Sequence, residues 1–265
     1  MPRTYTYGPF NSRRLGLSLG INILSNHKIC TFNCVYCEIG VTEQLVSPTY
    51  RIKNPPTPNF RKELLSISKL VPHLNSMSFT GYFGEPTLNE NLLDFYKITL
   101  DVREEIEWTQ DKPLLTLFTN SSTLHIKEIR DRVKEFDLVL AKLDAATNED
   151  FLRTNSSHQQ TPDIEAIINS LIKLKQEMPK NHKLAIQSLI YNSYREDFIS
   201  NNNSANISEL ALAIKKIKPD LVQIYSVARI PANYYVFSID ETRKKEIVKE
   251  IQKVVNDQNV EITYY

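Results

Sequence analysis

The sequence predicts an α/β protein built on a parallel sheet, and three observations carry that prediction. Short β-rich runs recur at Leu17–Leu24, Met77–Thr80, Leu114–Thr119, Leu138–Leu143, Leu184–Ile190 and Leu221–Tyr225. Segments with helical spacing lie between them, and parallel strands need such crossovers. No repeat or long linker divides the 265 residues, a length that one domain accommodates. Six strand–helix units fall two short of a closed eight-fold barrel. The expected architecture is therefore an open, partial (β/α)6 TIM-like barrel in a single domain spanning residues 1–265.

In chain order, residues 1–27 form a polar N-terminal arm and the first strand, 28–40 a cysteine-bearing loop, and 41–265 the remainder of the barrel. Val46–Asn59 holds four prolines, at positions 48, 55, 56 and 58, and reads as a long loop. TLNENLLDFY has the T-x-x-E pattern of a capping box, Thr87 to Glu90, ahead of Leu92 and Leu93. The clearest helix starts at Thr161 as N-cap, with Pro162 at its first position. Ile164, Ile167, Ile168, Leu171, Ile172 and Leu174 give it one apolar stripe. Asn192–Asn206 reads as an asparagine-rich loop after the fifth strand. Helices follow over Ser208–Lys218, stopped by Pro219, and over Thr242–Val255.

A formal net charge of +1 supplies no field for nucleic acid or anionic lipid. Lys215-Lys216 and Arg243-Lys244-Lys245 sit in helical patterns and solvate outer faces. No apolar run reaches the roughly 20 residues that a bilayer crossing needs, and the polar N-terminus lacks a signal peptide's apolar segment. These features predict a cytoplasmic protein with reduced thiols.

All three cysteines fall within KICTFNCVYCEIG, at Cys30, Cys34 and Cys37. Three cannot pair internally as disulfides. The C-x3-C-x2-C loop follows the first strand, at the carboxyl end where barrel active sites collect. Soft thiolates select iron–sulfur clusters, zinc or copper(I). Three cysteines leave one iron of a four-iron cubane without a protein ligand, and an open position is where a metal centre does chemistry. His27 offers the alternative of a closed Cys3His zinc site in a binding protein.

The run C-T-F-N-C-V-Y-C resembles the signature of the radical S-adenosylmethionine (SAM) superfamily, with the aromatic Tyr36 before the last cysteine. The resemblance implies a [4Fe–4S] cluster held by Cys30, Cys34 and Cys37, whose fourth iron takes the amino and carboxylate groups of SAM. One-electron cleavage would release a 5′-deoxyadenosyl radical that abstracts hydrogen from a substrate, making the chain an oxidoreductase-type enzyme. It further implies that Gly84-Glu85-Pro86 serves the SAM amino group, Asn120 its ribose, Lys142 its carboxylate and Asp144 ribose hydroxyls or substrate. Tyr36 would meet adenine through its backbone. Lys142 and Asp144, two apart on a strand, share one face.

The segments N-S-R-R-L-G-L-S-L-G and V-A-R-I-P-A are similar to a subgroup of small radical SAM proteins related to the wyosine-base synthases. Arginine forks suit carboxylate or phosphate. Arg13, Arg14 and Arg229 are accordingly candidate substrate residues, with Gln187 on the fifth strand as a weaker one at the barrel rim. Wyosine synthases carry further cysteines for a second cluster, and this chain has none left. The expected partners are a small-molecule or nucleoside substrate and an electron donor such as a flavodoxin or ferredoxin. A further alternative is a cluster-bearing partner that binds SAM without turnover.

Overall fold

The computed structural model describes residues 3–24 and 26–265. An opening hairpin, β1 (Thr6–Ser12) and β2 (Gly16–Ile21), leads into the short strands β3 (Ile29–Cys30) and β4 (Gln44–Leu45). Then come α1 (Pro58–Leu70), β5 (Ser76–Phe79), α2 (Leu92–Glu105), β6 (Leu114–Thr119), α3 (Lys127–Val133) and β7 (Leu138–Lys142). Next are α4 (Asn148–Asn155), α5 (Ile164–Glu177), β8 (Lys183–Leu189), β9 (Tyr191–Ser193) and α6 (Ser204–Ile217). The chain finishes with β10 (Leu221–Tyr225), β11 (Val236–Ser238), α7 (Glu241–Val255) and β12 (Glu261–Tyr264).

Eight strands form one sheet in the order β1-β2-β5-β6-β7-β8-β10-β12. The six runs expected from sequence are its six central strands, all parallel. Two edge strands add to them. β1 pairs antiparallel with β2, and β12 pairs parallel with β10. A polar arm hides the first, and a four-residue strand after the last helix is too short to stand out.

Period-two alternation divides the sheet into two faces. Leu19, Ile21, Met77, Phe79, Leu115, Leu117, Val139, Leu184, Ile186, Val222 and Ile224 point outward under the helices, each fully buried. Burial of each such side chain is worth about 1.5–3 kcal/mol. The inner face is different. Ser18 bonds Ser78 at 2.8 Å, and Ser76 bonds both Ser78 and Thr116 at 2.8 Å, a ladder of hydroxyls that satisfies itself inside the barrel. Beside it Leu15, in the β1–β2 turn, packs on Leu138, Leu140 and Ala185.

Several local expectations are corrected. The helix expected from Thr161 begins after Asp163, whose carboxylate accepts from Ala166 N. Asp163 is the better cap because its short acidic side chain reaches the free amides and favours the helix dipole. Thr87 caps no α-helix. It lies in a 3-10 turn, Pro86–Leu88, whose cap is Glu85, and α2 starts later with Asn91 as N-cap. The proline-rich loop ends at Thr57, because Pro58 already occupies the first turn of α1. Asn192–Asn206 is no open loop. Its start lies in β9, which pairs with β11, and Asn203 caps α6 by accepting from Asn206 N, so that helix starts at Ser204 rather than Ser208. The last helix starts at Glu241 with Asp240 as cap.

Candidate functional site

The strands' carboxyl ends converge on the cysteine loop, which is tied down by backbone from four distant segments. Ile29 N donates to Phe83 O at 3.0 Å and Glu85 N to Ile29 O at 3.1 Å. Gly84 between them has φ +125°, and a Cβ there would lie 1.6 Å from Ile29 O. Only glycine brings the two segments this close. On the other side, Val46 N donates to Cys30 O at 3.0 Å. Asn33 N and Val35 N donate to Asn155 O and Thr154 O, at 2.9 and 3.0 Å, at the end of α4. Asn233 N, after β10, donates to Val35 O at 3.0 Å.

Each sulfur has a side-chain N–H donor beside it. Asn120 Nδ2 lies 3.5 Å from Cys30 Sγ, Asn155 Nδ2 3.3 Å from Cys34 Sγ, and Lys28 Nζ 3.0 Å from Cys37 Sγ. Burial, then the neighbouring Cys34, pushes the Cys30 thiol up to about 12. Burial, then Cys37, pushes Cys34 up to about 11. Metal loading must displace these protons, and soft metals do so. Among the described residues no three His, Cys, Asp or Glu side chains are grouped to hold a single metal ion. Soft thiolates of this kind suit an iron–sulfur cluster or zinc.

Glu85 is 1% exposed, and four donors occupy its carboxylate. Thr87 N and Thr87 Oγ1 donate to Oε1 at 3.2 and 2.6 Å, Thr119 Oγ1 to Oε1 at 2.8 Å, and Asn120 N to Oε2 at 2.6 Å. Burial pushes its pKa up, and these bonds work against that rise. The side chain is a strut between the Gly84 turn and the end of β6.

Asp144 is the second hub, 3% exposed. Leu189 N donates to Oδ1 at 2.8 Å and Lys142 Nζ lies 3.4 Å from the same oxygen. The Tyr36 hydroxyl and Asn155 Nδ2 donate to Oδ2, the latter at 3.3 Å. Lys142 also donates to Tyr225 Oη at 2.9 Å and stands 4.4 Å from the Tyr36 ring centre. Burial pulls the Lys142 ammonium down, but Asp144 and Tyr225 more than offset this and hold it above its ordinary value. Burial and Asp144 together raise the Tyr36 phenol. Asn201 Nδ2 fixes the backbone beneath, donating to Asp144 O at 2.9 Å and Leu189 O at 2.7 Å. A narrow cavity lies between Phe32, Tyr36, Asn120, Lys142, Asp144 and Asn155.

The structure thus brings Tyr36, Asn120, Lys142, Asp144 and the Gly84–Glu85–Pro86 turn around the cysteine loop. Gln187 is 1% exposed, inside the barrel rather than on its rim, and its amide donates to Gln223 Oε1 at 2.7 Å. Arg229 lies exposed and pairs with Glu38 of the cysteine loop at 3.0 Å. Arg13 is exposed in the β1–β2 turn, while the Arg14 guanidinium stands 4.5 Å over the Tyr225 ring. Sequence reasoning missed Lys28, Asn155 and Tyr225. Lys28 alone carried a signal, as a cation two residues before a metal-type cysteine.

The solved structure of Streptococcus suis SuiB bound to S-adenosylmethionine superposes with a TM-score of 0.62 over 92% of this chain and 50% of that one, at 13% identity. The two share the fold, an open, partial TIM-type barrel. Other solved structures share it. Native anSMEcpe with bound AdoMet and a peptide gives a TM-score of 0.60 at 16% identity, over 92% of this chain and 62% of that one. TYW1 with a lysine–pyruvate adduct gives 0.55 at 12%, over 89% and 73%. Among curated sequences, a protein named GTPase Obg from Brachyspira hyodysenteriae is 28% identical over 92% of this chain, which spans only 33% of that protein. A UPF0026 protein of Methanocaldococcus jannaschii is 27% identical over 96% of this chain and 72% of its own length. No protein-family model matches the chain. Among the described residues, no helix is long and apolar enough to cross a membrane.

Proposed function

We propose that the chain is a radical SAM enzyme holding a [4Fe–4S] cluster on Cys30, Cys34 and Cys37, with SAM at the iron that no cysteine ligates. When bound, that pair supplies a 5′-deoxyadenosyl radical able to abstract hydrogen from an otherwise unreactive carbon. The carrying observation is the sulfur environment: three thiols in one loop, each facing its own N–H group, at the carboxyl ends of the barrel strands.

The chain's own residues have separable tasks. Backbone carbonyls of Gly84 and Pro86 would receive the SAM amino group, while the Glu85 carboxylate keeps that turn fixed. Lys142, held charged by Asp144, offers a cation to the SAM carboxylate. Asn120 and Asp144 flank the nucleoside's place in the cavity, and Tyr36 closes it from the loop side. Loop burial excludes water from a reactive intermediate. The substrate is a small molecule or nucleoside, the electron donor a flavodoxin- or ferredoxin-type protein, and the setting cytoplasmic.

Anaerobic reconstitution with iron and sulfide, followed by reductant and SAM, tests this. The expected result is a brown protein with about four irons and acid-labile sulfide that forms 5′-deoxyadenosine, lost with Cys34→Ala. A fully loaded cluster that binds SAM without product would assign the chain to a non-turnover partner role. Zinc without sulfide would overturn the reading entirely.

A further inference from the structure

The β1–β2 turn brings an arginine into the barrel. Ser12 Oγ accepts from Arg14 N at 3.3 Å and Leu15 N at 3.2 Å, closing a tight turn, and Leu15 plugs the apolar end of the interior. Arg14 lies beside it, its guanidinium 4.5 Å over the face of Tyr225 on the last central strand. The side chain therefore spans from one end of the curved sheet to the other. A structural clasp would need no more than that.

One detail exceeds a clasp. Nη1 of Arg14 is buried and meets no hydrogen-bond acceptor among the described residues, and Arg14 forms no ion pair among them. A guanidinium N–H taken from water without an acceptor costs free energy, more than a neutral donor would. A purely structural arginine relieves that cost by turning its fork toward a carbonyl, a carboxylate or solvent. Here Nη1 stays buried beside the Tyr225 ring, at the end of the strand that also carries the Lys142 contact. The edge of the same Tyr225 ring holds Lys142, whose Nζ is 2.9 Å from the phenol oxygen and 5.2 Å from the ring centre. One aromatic ring thus carries two cations, one committed to Asp144 and one with an open donor.

We propose that Arg14 is a substrate subsite: its Nη1 edge takes an oxyanion, a carboxylate or phosphate carried by the substrate, and so sets the molecule's orientation in the barrel. Lys142 is spoken for by Asp144, so the two cations divide the work, Lys142 toward SAM and Arg14 toward the second substrate. Arg13, exposed in the same turn, does not share this role. The proposal rests on the radical SAM reading for the word substrate, but the oxyanion site itself exists without iron or SAM. Within the small molecules and nucleosides proposed above, this narrows the substrate to one that carries a carboxylate or a phosphate.

The test uses the full-length chain, both as purified and after anaerobic loading with iron and sulfide. Phosphate is titrated by 31P line width and acetate by 13C line width, at constant ionic strength with chloride as the reference. Saturable broadening is expected with wild type and with Arg13→Gln, and at least roughly tenfold weaker binding with Arg14→Gln. Arg14→Lys keeps a charge over Tyr225 but loses the planar fork, so it should fold normally and bind with intermediate strength. The ratio of phosphate to acetate affinity separates the two oxyanion sources. Equal binding by wild type and Arg14→Gln, or no saturable binding by wild type, overturns the proposal. Loss of stability in Arg14→Gln with no difference between Arg14→Lys and wild type toward either ion leaves Arg14 a clasp, and also overturns it. Failure to cleave SAM would leave these titrations unaffected, so the two readings fail separately.

Discussion

Lys28 Nζ donates to Cys37 Sγ at 3.0 Å and to Gly40 O at 2.5 Å. Lys28 is 3% exposed, and among the described residues no carboxylate lies within ion-pair distance of its side chain. Its ammonium is held instead by the Cys37 sulfur and the Gly40 carbonyl. Charge and hydrogen bonds at the sulfurs are the protein's levers on cluster potential.

Replacing Lys28 with methionine keeps the bulk and removes the charge. On the proposed cluster reading, reduction becomes harder and the potential falls. A unit charge some ~6 Å away at an effective dielectric near 20 is worth on the order of 100 mV. Redox titration followed by electron paramagnetic resonance checks this, with Asn155→Leu as a neutral comparison that should shift less. No change with Lys28→Met would mean the ammonium does not act on the centre.

Gly84 admits no side chain. Alanine would set its Cβ against Ile29 O and keep a left-handed φ of +125°. The expected cost is about 3 kcal/mol or more, seen in urea unfolding, together with loss of iron loading because the loop's anchor at Ile29 is displaced.

Asp144 is expected to tolerate Asn poorly. The amide would face Tyr36 Oη and the donating Nδ2 of Asn155 while leaving Lys142 without its counter-charge. Breaking a buried pair of this kind costs about 3–5 kcal/mol. Tyr36→Phe removes one donor only and should cost about 1–2 kcal/mol. Both are read by chemical denaturation of the cluster-free protein, where no SAM effect intervenes.

An acid-dependent contribution comes from far outside the site. Arg130, buried on α3, donates from Nε and Nη2 to the two oxygens of Glu177 on α5, both at 3.0 Å. The hydrogen bond from Arg130 holds the Glu177 carboxyl below its ordinary 4.5. A lowered folded-state value means the stabilisation is present above about pH 4.5 and is lost as pH falls through the folded value. Glu177→Gln should cost about 1–2 kcal/mol at pH 7, and the gap from wild type should close on acidification. A gap that stays constant from pH 7 to pH 3 would contradict this.

The six central strands were legible because each is a short apolar run bounded by helix-period segments, as in Leu138–Leu143. The cysteine loop was legible because its chemistry is local. What escaped was tertiary. Thr87 matched a capping pattern, yet its hydroxyl donates to Glu85, a choice set by the fully buried carboxylate beside it. The asparagines at 201, 203 and 206 looked like a lax surface stretch. Instead Asn201 and Asn206 donate to Asp144 O, and Asn203 caps α6. Asn155 reaches Cys34 across 121 residues of sequence, and nothing in its neighbourhood announces that contact. Gln187 was placed at a rim because its strand's inward residues could not be ranked by depth without the barrel's curvature.

The loop bearing the three thiols owes its shape to Val46, Gly84, Thr154 and Asn233, partners strewn over most of the polypeptide. A nascent chain still missing its last quarter lacks the Asn233 tether. The shape of that loop is thus a property of the closed barrel rather than of its own residues, and a fragment ending before Asn233 should hold the three thiols less firmly, read as faster thiol labelling than in the full chain.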